Sequence, residues 1–192
     1  MLFRSAVDMP IGLSENTPRE CDRAVRRLLG KRASSVFPVP CREALFATDY
    51  ISACDINASV TGRRLSKQTY FIMKKILELD SALTSADQVF VREVHPELVF
   101  TLVSGGPMKH AKRTPQGIRD RLRFLNQQKM TIRLQDLQRI RRRFRPAVVA
   151  IDDMVDAAAC LIGAERILSG EATTLPESIF RDGRGLRMEI SG

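Results

Sequence analysis

The chain has 192 residues, 44% of them hydrophobic, and carries a formal net charge of +9 with a pI near 9.9. That length supports one core of useful size and, at about 100–200 residues per domain, argues against a second independent domain. No run approaches the ~18 consecutive apolar residues of a membrane span, and the N-terminus lacks the pattern of a signal peptide, so a cytoplasmic protein with no membrane association is expected.

The basic balance would attract polyanions at long range, which makes nucleic acid a candidate partner without identifying one. The sequence does not decide an oligomeric state. Cys21, Cys41, Cys54 and Cys160 are scattered, and only His95 and His110 could join them. Neither a zinc site nor a disulfide framework is signalled, and all four are expected as reduced core or half-buried thiols.

In chain order, Ser5 to Met9 reads as the end of a buried strand closed by Pro10 and a turn at Gly12. Thr17-Pro18-Arg19-Glu20 has the form of a helix start, with Cys21, Ala24, Val25, Leu28 and Leu29 on one face and Gly30 to end it. Ser34 to Pro40 is an extended connector, and Glu43 to Ala53 is expected as helix. Ser66 can cap a further helix with an apolar stripe of Ile72, Met73, Ile76 and Leu77. Val89 to Val94 is a short strand interrupted by Pro96, and Glu97 begins the next helix.

Downstream, Thr114-Pro115 starts a helix carrying Ile118, Leu122 and Leu125, and another carries Leu134, Leu137, Ile140 and Phe144. A longer helix holds Ile151, Met154, Val155, Ala158, Ala159 and Ile162, its small residues suited to close packing on a sheet. Leu186 to Ile190 could form a final edge strand. Few strands stand among many helices, so either helices dominate or strands are missing.

Several acids interrupt apolar segments. Asp8 follows Ala6-Val7, Glu93 ends the second strand, and Asp152, Asp153 and Asp156 occupy the first turns of the late helix. Charges are rarely placed in such segments without a partner. At about 100° per residue, Asp152 and Asp156 lie roughly 40° apart and Asp153 and Asp156 roughly 60° apart, so at least two project in one direction. Taken singly, each has a plainer reading: Asp152 or Asp153 as the cap of the helix, and Asp8 as the start of a turn. Together they are expected to converge, Asp8 and Glu93 with at least one of Asp153 and Asp156.

The chemistry such a group would serve is phosphodiester hydrolysis with Mg²⁺ or Mn²⁺ as cofactor. Mg²⁺ takes oxygen ligands and usually only one or two carboxylates, so an ion pair about 3.5–4 Å apart needs three or four acids. His95, beside Glu93, is either a proton shuttle and supporting partner of the site or a residue that closes the turn before Pro96. Arg139, Arg141, Arg142, Arg143 and Arg145 form either a solvated helix face or a phosphate-binding one. Lys109, His110, Lys112 and Arg113 make a second basic cluster in the loop after Gly105-Gly106-Pro107. Neither cluster has the interleaved aromatics of a base-stacking platform.

Read together, Ala6-Val7-Asp8-Met9-Pro10-Ile11-Gly12-Leu13, Cys21-Asp22-Arg23, Ser35-Val36-Phe37-Pro38, Thr61-Gly62, Leu65-Ser66-Lys67-Gln68, Glu93-Val94-His95-Pro96-Glu97, Asp152-Asp153-Met154-Val155-Asp156-Ala157 and Gly185-Leu186-Arg187-Met188-Glu189-Ile190 resemble, in that order, an uncharacterised prokaryotic family of predicted RNase H-like nucleases. The resemblance spans the chain from Ala6. It implies an α/β fold, a mixed RNase H-like sheet in one domain with a large helical insertion over residues 14–87, between the Asp8 and Glu93 strands. Asp8, Glu93, Asp153 and Asp156 would match the family's presumed metal ligands, with His95 among the catalytic residues.

The family normally begins with a β-hairpin carrying another acid, and this chain is expected to start after it, with residues 1–5 as a non-native start because Leu2-Phe3-Arg4-Ser5 looks like a reading frame of a sequencing adapter. Such a fragment is expected to be catalytically impaired. The leading expectation is a metal-dependent nuclease. The rival is a non-catalytic nucleic-acid-binding or regulatory module on the same fold, because fold alone does not establish chemistry. A phosphate-transferring enzyme of the wider group comes third, with no Gly-rich nucleotide loop to support it.

Overall fold

Two short strands, β1 (Ser5–Val7) and β2 (Val91–Glu93), lie parallel in the computed structural model, which describes residues 5–145 and 148–192. The expected non-native start falls outside the described residues except for Ser5. Val7 stands opposite Glu93, so the two strands end together. A second pair, β3 (Thr174–Leu175) and β4 (Ile190–Ser191), is antiparallel. A bridge between Val94 and Ser191 joins the pairs, giving the spatial order β1-β2-β4-β3.

Parallel neighbours need a long crossover, and here it is helical. It contains α1 (Glu20–Leu29), α2 (Tyr50–Thr61) and α3 (Lys67–Ala82), with 3₁₀ turns at Gly30–Ser35, Glu43–Phe46 and Asp87–Val89. After β2 come α4 (Pro96–Ser104), α5 (Pro115–Gln127), α6 (Leu134–Arg141) and α7 (Ile151–Ser169). The fold is mixed α/β, and helices dominate it among the described residues.

Burial follows the apolar faces. Val94, Val99, Phe100, Leu125, Val155, Ala159 and Ile162 form one core between β2 and helices α4, α5 and α7. The small residues of α7 matter at Gly163, where an added Cβ would sit 2.7 Å from Val94 Cγ1, well inside contact distance. Leu13, Ala44, Leu45, Cys54, Met73 and Ile76 make a second core within the crossover, and Cys21, Val25, Leu29, Leu98 and Ile190 join α1 to α4 and β4. All four cysteines are free and buried.

Several helix starts behave as their sequences dictate. Ser66 Oγ accepts the Thr69 N–H at 3.0 Å, and Thr114 Oγ1 accepts the Gly117 N–H at 3.0 Å. Pro96 does not merely interrupt β2; it opens α4 as its first residue. Other boundaries moved. The Thr17 start is corrected to Glu20: Ser14 Oγ binds the Thr17 N–H at 3.1 Å in a turn, and Arg19 remains extended because its side chain is held inside the protein. The helix expected over Glu43 to Ala53 splits in two, because Asp49 accepts from Ile51 N and Ser52 N at 2.8 and 2.9 Å and so starts α2 afresh. The strand expected from Val89 begins only at Val91, since a 3₁₀ turn holds Asp87–Val89. Phe144 lies beyond the end of α6. The edge strand expected from Leu186 shortens to Ile190–Ser191 and lies between β2 and β3 rather than at an edge, because Ser191 bridges to Val94 on its other side.

The C-terminal segment closes over the crossover through one buried carboxylate. Asp182 accepts from Leu13 N at 3.0 Å and Leu186 N at 2.9 Å and pairs with Arg42, which also reaches Asp80 at 3.2 Å.

Candidate functional site

The C-terminal ends of parallel strands are where α/β sheets bind ligands, because the connections diverge there and leave a crevice. Asp8 follows β1 at that end, and Val94 and His95 follow β2. The N-terminal turns of α7, carrying Asp152 and Asp156, come to the same corner, as does the loop between α4 and α5 with Lys112. The Lys112 ammonium lies 2.5 Å from Asp156 Oδ2 and 4.0 Å from Asp152 Oδ2, and Arg113 Nε lies 3.2 Å from the same Asp152 oxygen. Asp152 and Asp156 are both buried, as their shared helix face requires.

Electrostatics tie Asp8 to this group. Its residue surface is open to solvent, yet the protein mass behind the carboxyl pushes its pKa up to about 6; the Asp156 carboxylate adds to the rise, and Lys112 opposes it. Burial raises Asp156 as well, against the pull of Lys112. For Lys112, burial works against the charge, but Asp156, Asp152 and Asp8 outweigh it and hold the ammonium above its ordinary range. Cys160, one turn along α7 from Asp156, is pushed up to about 12 by burial and then by Asp8 and Asp156. It is an unreactive thiol lying under the pair.

Glu93 points into a different environment. One of its oxygens, Oε2, accepts both the Ile11 N–H and Arg19 Nη2 at 2.7 Å. The Arg19 and Glu93 side chains are 1% and 8% exposed. Burial pushes the Glu93 carboxyl up to about 8, restrained by Arg19 and the Ile11 N–H, while Asp22, Cys21 and Glu93 hold Arg19 charged despite its burial. Arg19 Nη2 also reaches Asp22 Oδ1 at 3.4 Å, and burial raises the pKa of Asp22 in turn. Glu93 thus fixes the turn after β1 through its backbone and the start of α1 through Arg19.

His95 is the residue before α4, and burial lowers its pKa, keeping the ring neutral. Its Nε2 lies 3.4 Å from the Ser35 carbonyl, and its buried Nδ1 has no partner among the described residues. A cleft of only about 20 Å³ brings His95 together with Asp8, Asp22 and Glu93. Asp153, in contrast, is exposed and accepts the Ala150 N–H at 2.8 Å, serving the start of α7. Of the sequence candidates, then, Asp8 shares one corner with Asp156 and one cleft with Glu93 and His95, while Asp153 faces the helix end.

Arg139, Arg142, Arg143 and Arg145 are exposed and Arg141 is half-buried, with Arg139 paired to Asp136 at 3.1 Å. Two bases emerge as site residues that sequence reasoning did not single out as such. Lys112 was visible only as one cation of a loop cluster, its partners about forty residues away in α7. Arg19 stood within a helix-start motif, with no local sign of its ion pair with Glu93.

Among the described residues, no three His, Cys, Asp or Glu side chains are grouped closely enough to hold a metal ion. One oxygen each of Asp156, Asp152, Glu93 and Asp153 is turned to Lys112, Arg113, Arg19 or a backbone N–H group. As placed, this donor set does not fit a Mg²⁺ or Mn²⁺ ion, which requires several free oxygen ligands at about 2.0–2.1 Å. Among the described residues, no helix is long and apolar enough to cross a membrane.

A family model described as "Protein of unknown function (DUF429)" matches residues 3–179. No curated protein and no solved structure matches the chain.

Proposed function

The chain belongs to the DUF429 family, and with that as premise we propose that it is an RNase H-like nuclease hydrolysing phosphodiester bonds where the Asp8 strand end meets the first turns of α7. The observation that carries this reading is the Asp8 carboxyl, lifted to about 6 beside Asp156 and Lys112 at the ends of two parallel strands. A carboxyl poised near neutral pH can both take and return a proton, which is what general acid–base catalysis needs.

In this reading, Asp8 takes a proton from the attacking water as the new phosphorus–oxygen bond forms. The bond to the leaving oxygen breaks, and that oxygen takes a proton from solvent. The Lys112 ammonium stands where negative charge gathers on the non-bridging phosphate oxygens, a preorganised form of stabilisation. Asp156 fixes Lys112 and adds to the burial that raises the Asp8 pKa. Glu93 and Arg19 are positioning residues that hold the turn carrying Asp8. No step runs through a metal ion. The net charge of +9 supports nucleic acid as the polyanion drawn to the site.

A second reading, a nucleic-acid-binding or regulatory module, is favoured by one specific feature: Asp152 and Asp156 are already neutralised by Lys112 and Arg113. End-labelled single- and double-stranded RNA and DNA, incubated with the protein with and without Mg²⁺ or Mn²⁺, decide between the two. Cleavage that disappears in Asp8→Asn, with the melting profile retained, supports the nuclease. Binding without cleavage, unchanged in Asp8→Asn, leaves the module.

A further inference from the structure

A cavity of about 330 Å³ lies beside the Asp8 cleft, between α1, the connector after it and the end of α2. Its walls carry an unusual charge for a pocket: Arg19, Arg23, Arg26, Arg27 and Arg63 face a single acid, Asp22. Phe37, flanked by Pro38 and Val39, supplies an aromatic and apolar side. Its volume lies at the lower end of the range of about 300–1,000 Å³ typical of small-ligand sites.

The acids nearby cancel only part of this charge: Glu93 and Asp22 pair with Arg19 at 2.7 and 3.4 Å. Arg23 and Arg27 share one carboxylate, Glu20, at 3.5 and 2.8 Å, and their side chains remain 55% and 68% exposed. Arg26 is held by the Val36 carbonyl, which fixes its direction without neutralising it. Independently, the Nη1 of Arg19 is buried and finds no acceptor among the described residues, although its side chain is only 1% exposed. Five guanidinium groups beside one aromatic ring match a phosphate joined to a flat ring, since guanidinium binds phosphate in a bidentate fork and the ring can stack.

The geometry points to this pocket as a binding site for a mononucleotide unit, its phosphate among Arg23, Arg26 and Arg63 and its base against Phe37. Asp22, Phe37 and Val39 line both this pocket and the Asp8 cleft, so a bound unit would lie next to the candidate catalytic corner. The unit could be a free nucleotide or the 5′-phosphorylated end of a strand; the phosphate-and-base chemistry is the same.

Calorimetric titration of the full chain with adenosine monophosphate, adenosine, inorganic phosphate and a 5′-phosphorylated dinucleotide tests the site. The monophosphate should bind at least ten times more tightly than either adenosine or phosphate. Arg23→Gln with Arg63→Gln should weaken it at least tenfold, whereas the matching pair of lysine substitutions should keep most of the affinity. Phe37→Leu should cost the monophosphate more than it costs phosphate. Equal affinity for monophosphate and dinucleotide assigns the site to free nucleotides, and tighter dinucleotide binding assigns it to strand ends. A monophosphate that binds no better than phosphate, or that binds the glutamine pair as well as the parent chain, overturns the inference. Both readouts are equilibrium binding, so an absence of cleavage does not affect them.

Discussion

Two sets of acid–base contacts use similar residues and behave differently. Arg121 and Glu97 pair through both carboxylate oxygens at 2.7 and 2.8 Å, their side chains 1% and 6% exposed, with the guanidinium 5.4 Å from the Phe100 ring. The Asp8 corner uses the same kinds of residues, but its cations are open: the Lys112 and Arg113 side chains are 41% and 82% exposed. A sealed pair, one guanidinium nitrogen donating to both carboxylate oxygens, is spent on holding α5 against α4. The open one leaves an exposed charge and a carboxyl of shifted pKa within reach of a ligand.

The sharpest way to break that comparison is to open the sealed pair. Glu97→Ala should leave the Arg121 charge buried without its counter-ion and lower unfolding free energy by about 3–5 kcal/mol, read from urea denaturation. Arg121→Met combined with Glu97→Leu should recover most of that loss, because no charge is then stranded. A double variant as unstable as Glu97→Ala would mean that the pair contributes packing or specific hydrogen bonds beyond charge balance.

At the open corner the expected effects are smaller and depend on pH. Asp8 has a folded pKa of about 6 against an ordinary 3.8, so the folded state binds its proton more tightly than the unfolded chain does. That contribution is fully present below about pH 3.8 and is lost as pH rises through about 6. Asp8→Asn should therefore gain stability relative to the parent chain between pH 4 and pH 7.5, by about 1 kcal/mol after allowance for solvent screening. A flat difference across that range would deny the corner its strained carboxyl. Lys112→Met should cost about 1 kcal/mol or less and raise the carboxyl titrations of Asp8 and Asp156 further, as followed by carbon NMR. If the Asp8 titration stays still, Lys112 is not part of its environment.

Much of this could be read from the residues, and the limits have physical causes. Local signals worked where the answer was local: Ser66 and Thr114 cap their helices, and the carboxylates of Asp152 and Asp156 share a face because 3.6 residues per turn puts them there. Local rules misled where a distant partner prevailed. The Thr17-Pro18-Arg19-Glu20 motif is a sound helix start, but Arg19 is held by Glu93, more than seventy residues away, and the helix begins later. The ammonium that completes the Asp8 corner was equally hidden, because a lysine in a glycine-containing loop carries no mark of the helix it will meet. Asp153 shows the converse, since its plainer reading as a helix-start residue was written in its position three residues after Ala150.

The gentlest test concerns the arginines that take part in neither set. Arg142 and Arg143 follow α6 with exposed side chains and pair with no acid among the described residues, so their charge is available to a phosphate backbone. Replacing both with glutamine should leave the melting temperature where it was, because surface changes away from caps and buried pairs seldom alter stability. If that face contacts single-stranded nucleic acid, the slope of log affinity against log salt should flatten by about 1.4, each lost phosphate contact removing about 0.7, and the loss should be the same for every sequence tried. Binding measured by fluorescence anisotropy at several salt concentrations would show this directly. An unchanged slope would make the face a solvated one, and the salt dependence would then have to come from the arginines around Phe37 and from Lys112, which the glutamine pair leaves intact.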